Sequence, residues 1–85
     1  MKLPVIKGLV DFIEANDEDF VLEAIEVVEH LSQSKGIKEH EIEVIAELIS
    51  NMYGSIEVNK AMKSGKNKKD ALNDFMQRVM GSIDK

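Results

Sequence analysis

One stretch, from about Lys38 to Ser64, reads as a single helix that takes up almost a third of an 85-residue chain. Ile42, Ile45, Ala46, Ile49, Met52, Tyr53 and Ile56 recur at three- and four-residue steps, and Val58, Ala61 and Met62 carry the apolar pattern on past Gly54. At 1.5 Å per residue such a helix is about 40 Å long. The remaining segments are too short to cover it from within one subunit. Gly54 marks the place where the helix is expected either to bend or break, or to let another helix approach closely.

The rest of the chain reads as three further helices. Pro4 suits a first helical turn, and Ile6, Leu9, Val10 and Ile13 follow at helical spacing, so a short first helix is expected to end near Asn16. Asp17 then supplies an N-cap, with Glu18 and Asp19 favourably placed in the first turn of a second helix. That helix carries Phe20, Val21, Ala24, Ile25, Val28 and Leu31 on one stripe. Leu22 and Val27 widen the stripe, which predicts packing on more than one side. Lys35 and Gly36 suit its C-terminal end. Gly65 reads as the C-cap of helix three, and Asn67 to Asp70 resembles a capping box with Asp in place of Glu. Helix four then presents Leu72, Phe75, Met76, Val79 and Ile83, with fraying expected from Met80 to Lys85. The fold class is therefore all-α: a four-helix single domain over residues 1–85 with a long third helix.

Size makes a partner subunit the expected staple. A chain near 80 residues builds a core worth only about 3–5 kcal/mol. Cysteine is absent, which removes disulfides, thiol catalysis and thiolate metal sites together. Charge supports association as well. Residues 1–59 hold four lysines against thirteen acids, whereas residues 60–85 hold seven basic groups against three acids. A molecule so divided attracts copies of itself. The expected interface uses the exposed part of helix three, Ile49, Met52, Tyr53 and Ile56, together with Lys60, Lys63, Lys66, Lys68 and Lys69 meeting the acidic second helix of a neighbour. A homo-oligomer results, with a dimer favoured.

Other functions find little support. The acidic balance opposes polyanions, and the lysine stretch has no aromatic residues for base stacking, so nucleic acid is not an expected partner. Apolar runs such as Phe20-Val21-Leu22 are too short to span a bilayer, and the N-terminal segment has no signal-peptide pattern, so no membrane partner and a cytoplasmic location are expected. Glu23, Glu26, Glu29, His30, Glu39, His40, Glu41, Glu43 and Glu47 suggest a carboxylate-bridged metal pair. The Glu-x-x-His spacing fails, however: Val27 precedes His30 by three and Ile37 precedes His40 by three. No metal, cofactor or catalytic residue is assigned. Ser50, Asn51, Tyr53 and Asn59 are the candidate lining of a pocket, should the protein be a ligand-binding or enzymatic subunit with its site at an oligomer interface. Without a base in reach of a nucleophile, the chain is read as non-enzymatic. In the plainer reading Tyr53 packs its ring in the core and gives its hydroxyl to a polar partner.

Lys2-Leu3-Pro4-Val5-Ile6-Lys7, Asn16 to Glu23, Leu48 to Gly54 and the ending Gly81-Ser82-Ile83-Asp84-Lys85 resemble a family of short bacterial proteins of unknown function, over essentially the whole chain. Members of that family tend to be encoded near thioredoxin-like and peroxiredoxin genes, so the resemblance implies an accessory or adaptor role beside such a partner. From Glu47 through Gly65 to Ala71 the layout is also distantly similar to the helix pair of the alkylhydroperoxidase D and carboxymuconolactone decarboxylase superfamily. Its redox members carry a Cys-x-x-Cys there; this chain has Ser55 and Asn59 nearby and no cysteine, so only a scaffold would carry over.

Overall fold

The computed structural model describes residues 1–83, with side chains through Met80. Four helices and no strand occur among them: α1 (Leu3–Ala15), α2 (Glu18–Leu31), α3 (Glu39–Lys63) and α4 (Lys68–Ile83). The expected fraying falls partly on Asp84 and Lys85, outside the described residues.

Local chemistry sets the helix ends. The Asn16 N–H donates to the carbonyls of Phe12 and Ile13, which closes α1. Asp17 Oδ1 accepts from the Asp19 N–H at 3.0 Å and starts α2 as expected. At the start of α3 the Glu41 carboxylate accepts the Lys38 N–H at 2.8 Å. Asn67 Oδ1 accepts the Asp70 N–H at 2.8 Å, the forward half of the expected capping box; the Asp70 carboxylate accepts its return bond from Asn67 Nδ2 rather than from the cap's backbone N–H. Gly65, directly after the Ser64 cap of α3, takes φ of 118°, the positive region that ends a helix and favours glycine. The expected cap at Gly36 is corrected, because α2 ends at Leu31 with Ser32 in the right-handed conformation and Gly36, φ 92°, lies in the turn beyond.

Helix α3 is the axis on which the other three dock. Lys2, just before α1, meets Asn51, and Ile6 lies beside Gly54, so α1 runs parallel to α3 alongside its second half only. Glu18 meets Asn59 and Lys63, while Ile25 packs with Ile56, Ile49 and Met52, so α2 returns antiparallel along α3 toward its start. Only residues 64–67 separate α3 from α4, and Phe75 lies back on Gly54, so α4 folds back antiparallel as well. The core forms two clusters. Ile6, Val10, Val58, Ala71, Leu72 and Phe75 join α1, α3 and α4; Ile13, Val21, Ile25 and Ile56 join α1, α2 and α3.

The helix assignment continues through Gly54, which serves as the close-approach point. A Cβ there would stand 2.9 Å from Phe75 Cζ and 3.3 Å from Ile6 Cδ1, so two helices enter the space a side chain would fill. The plainer reading of Tyr53 is corrected: its residue is 48% exposed. It borders a shallow hollow with Gly54, Phe75 and Arg78 instead of entering the core.

Candidate interaction surface

The polar residues of α3 hold helices in place. Asn51 and Asn59 are buried, and so is Ser55 between them. At four-residue spacing they share one face. Asn51 accepts the Lys2 N–H through Oδ1 at 3.0 Å and donates through Nδ2 to the Glu47 carbonyl at 2.9 Å, fixing the entry to α1. Beside it, the Met1 amino group lies 3.1 Å from the Glu47 carboxylate. Ser55 donates to the Met52 carbonyl at 2.6 Å, which satisfies its hydroxyl in the interior. Asn59 Nδ2 donates to Glu18 Oε1 at 3.3 Å, which fixes the start of α2.

The four candidate pocket residues are thereby separated. Asn51 borders a hollow of about 520 Å³ together with Lys2, Val5, His40, Glu43 and Val44. Tyr53 borders a different hollow. Ser50 is half-buried and Asn59 faces Glu18, so none of the described hollows gathers all four. Among the described residues no group of three or more His, Cys, Asp or Glu side chains comes together to hold a metal ion.

The lysine segment finds its partners inside the chain. Lys63 pairs with Glu18 at 3.1 Å, Lys66 with Asp74 at 2.6 Å, and Lys68 with both Asp11 and Glu14. Lys68 thus ties the end of α1 to the start of α4. Of the five lysines placed at an interface with a neighbour's α2, three are engaged within their own subunit; Lys60 and Lys69 have no ion pair among the described residues. Hydrogen bonding to Lys68 holds the Asp11 carboxyl below its ordinary value, and the bonds to Asp11 and Glu14 hold Lys68 above its own. A depressed carboxylate stabilises the fold at pH above its unfolded value, and that contribution disappears as pH falls through the folded value. Lys68→Met is therefore expected to return Asp11 to the ordinary carboxylate range and to remove its share of the loss of stability in acid. An NMR titration of the Asp11 carboxyl carbon in both proteins checks this.

The expected apolar interface is redistributed. Ile56 belongs to the internal core, and Ile49 and Met52 pack partly against it; Tyr53 remains open. A larger apolar surface lies elsewhere. Phe20, Ala24, Val27 and Leu31 follow one another along α2 at four-three-four spacing; Phe20 is 57% exposed and Val27 67%. Along α1, Val5 and Phe12 stand two turns apart on one side. The two lines meet where the Phe12 and Phe20 rings pack edge to face, with centroids 6.0 Å apart. Val5 in turn shares a hollow with Val44 and Leu48 of α3, both exposed. α1 begins level with Asn51, and Val44 and Leu48 border its first turn while staying exposed. The excess width of the α2 stripe, visible in Leu22 and Val27, was the sequence signal for this face. Val44 and Leu48 fall off the main stripe of α3 and gave none.

Shape agrees with an uncovered surface. The radius of gyration is 13.8 Å and the extents are 43 × 35 × 17 Å; a compact chain of this length has a radius near 11.9 Å. The accessible surface is 5956 Å². Monomers of 9.5 kDa expose about 5050 Å², so the excess is about 900 Å².

Among the described residues no helix is long and apolar enough to cross a membrane. In comparison with known proteins, the model of a family of unknown function, DUF6952, matches residues 1–84. No curated protein and no solved structure matches.

Proposed function

The chain belongs to that family of unknown function, and from its surfaces we propose that it is a non-enzymatic, self-associating helical protein, a dimer first of all, that works by binding other proteins. The observation that carries this reading is apolar surface left open on a thin molecule. An excess of about 900 Å² is close to the roughly 800 Å² that each partner contributes to a standard interface. Open apolar residues on three helices are the part of a core that one copy does not close. Sedimentation equilibrium of the tag-free protein is expected to give a dimer at micromolar concentration; a monomer throughout would reject the reading.

A second reading has one observation in its favour. The hollow bordered by Val5, Val44, Leu48 and Asn51 opens beside the exposed apolar residues and carries His40, Glu43 and Glu47 on its rim. Closed by a second subunit, it becomes a pocket with apolar walls and a few polar groups, the usual form of a small-molecule site. Thermal-shift screening of small acids, nucleotides and metals tests it, since a ligand at a hundred times its Kd raises stability by about 2.7 kcal/mol. A thioredoxin-like or peroxiredoxin partner, the expectation drawn from the resemblance, is tested by co-purification with the protein from its native cell.

A further inference from the structure

We infer that a second copy of this chain covers the surface formed by Phe20, Val27 and Leu31 of α2 with Val44 and Leu48 of α3, the two α2 helices packing antiparallel about a two-fold axis near Ala24. The inference rests on the self-association proposed above and says which face performs it.

Four-three-four spacing is the repeat by which one helix meshes with another. On α2 that repeat is Phe20, Ala24, Val27 and Leu31, and it is separate from the buried face of Val21 and Ile25. The helix thus has two apolar seams: the chain's own α1 and α3 occupy the inner one, and on the outer one Phe20 meets α1 through Phe12. Ala24, small and half-buried in the middle of the outer seam, lets a second helix come near. A two-fold arrangement needs a patch complementary to itself. Here the α2 ridge of each copy rests in the angle between α2 and the uncovered first half of α3 of the other, over Val44 and Leu48.

The occupant is a second copy rather than a different protein for two reasons. The excess exposed area is close to one side of a standard dimer. A core of ten buried apolar residues among those described also needs its cover at all times, and another copy is the partner present whenever the chain is made. Electrostatics distinguishes this face from the lysine segment. Residues 17–50 hold ten acids and two lysines, so both copies bring an acidic rim to the contact. Repulsion between those rims weakens as salt screens it, and the dimer is expected to tighten with ionic strength. A contact between lysines and acids would loosen instead.

Sedimentation equilibrium of the full chain at low and high salt, on the wild type and on Val27→Glu, Leu48→Glu and Tyr53→Glu, tests the inference. All three positions are well exposed, and unchanged far-UV circular dichroism is the check on folding. The expected result is a wild-type dimer that tightens with salt. Either of the first two substitutions, by placing an unpaired charge in the seam, should raise its Kd by about a hundredfold or more, while Tyr53→Glu leaves it within about threefold. A dimer indifferent to Val27→Glu and Leu48→Glu, or one that loosens with salt, overturns this face and leaves self-association standing. Loss of the dimer in Tyr53→Glu alone moves the interface to the other side of α3. A wild-type monomer overturns both the face and the reading on which it rests.

Discussion

Gly54→Leu is expected to lower the unfolding free energy by about 2–3 kcal/mol, against the roughly 3–5 kcal/mol that a core of this size provides. The cause is geometric. Even a Cβ at this position stands 2.9 Å from Phe75 Cζ and 3.1 Å from Cε2 of the same ring, and 3.3 Å from Ile6 Cδ1. Ile6 is fully buried, and Phe75, though it borders a hollow, is packed into the same cluster, so a side chain at position 54 displaces packed neighbours. Leucine adds three more carbons where none fits, and the resulting separation of α1 and α4 from α3 opens the larger of the two clusters. Intrinsic propensity works in the opposite direction, since replacing a mid-helix glycine gains close to 1 kcal/mol. Packing prevails because overpacking a filled site costs about 1–3 kcal/mol and grows with each atom added. The series Gly, Ala, Leu at position 54 should therefore lose stability in that order in urea unfolding, whereas propensity alone would make glycine the least stable of the three. Alanine more stable than glycine would mean that the Phe75 ring turns aside at little cost. In Gly54→Ala, a further Phe75→Leu change is expected to cost less than it does in the wild type, because the two positions share the space.

Features written in neighbouring residues were legible from the sequence. Asp17, Gly65 and Asn67 act within a few positions along the chain, and the ends they mark lie where composition placed them; α2 instead ends at Leu31 with Ser32 as its cap, and Gly36 turns the chain four residues further on. Gly54 was legible as a bend or a close approach; the close approach depends on Phe75 and Ile6, 21 and 48 residues away. The same limit explains Asn51 and Asn59. Polar groups on a mostly apolar helix suggest a site, yet their partners are the backbone of Lys2 and the carboxylate of Glu18, 49 and 41 residues distant. Hydrogen-bond partners that far along the chain leave no local pattern. Lysine density was likewise readable as a charge division, whereas its engagement with Asp11, Glu14, Glu18 and Asp74 depends on where α1, α2 and α4 come to lie.

Ile25→Ala is expected to cost about 2–5 kcal/mol, as truncation of a fully buried isoleucine does, and to affect the two halves of the molecule unequally. Ile25 is 2% exposed in a cluster of only four buried residues, and that cluster docks α2. Ile6, Val10, Val58, Leu72 and Phe75 form the other cluster, to which α2 contributes nothing. Once the cavity opens, α2 keeps its link to α3 through Glu18 at one end, while Asn51 and Lys68 still secure α1. Native-state hydrogen exchange should show the α2 amides losing protection first, with α4 amides following only at the global unfolding free energy. If all four helices lose protection together, the two clusters unfold as one unit and the division is wrong. Because the proposed dimer seam lies on the outer side of the same helix, loosening α2 from within should also weaken self-association at concentrations where the variant remains folded. Val10→Ala, in the other cluster, should lower stability while leaving dimerisation of the folded protein nearly unchanged. Comparing the two variants by sedimentation separates a surface that depends on α2 from one that depends only on the chain being folded.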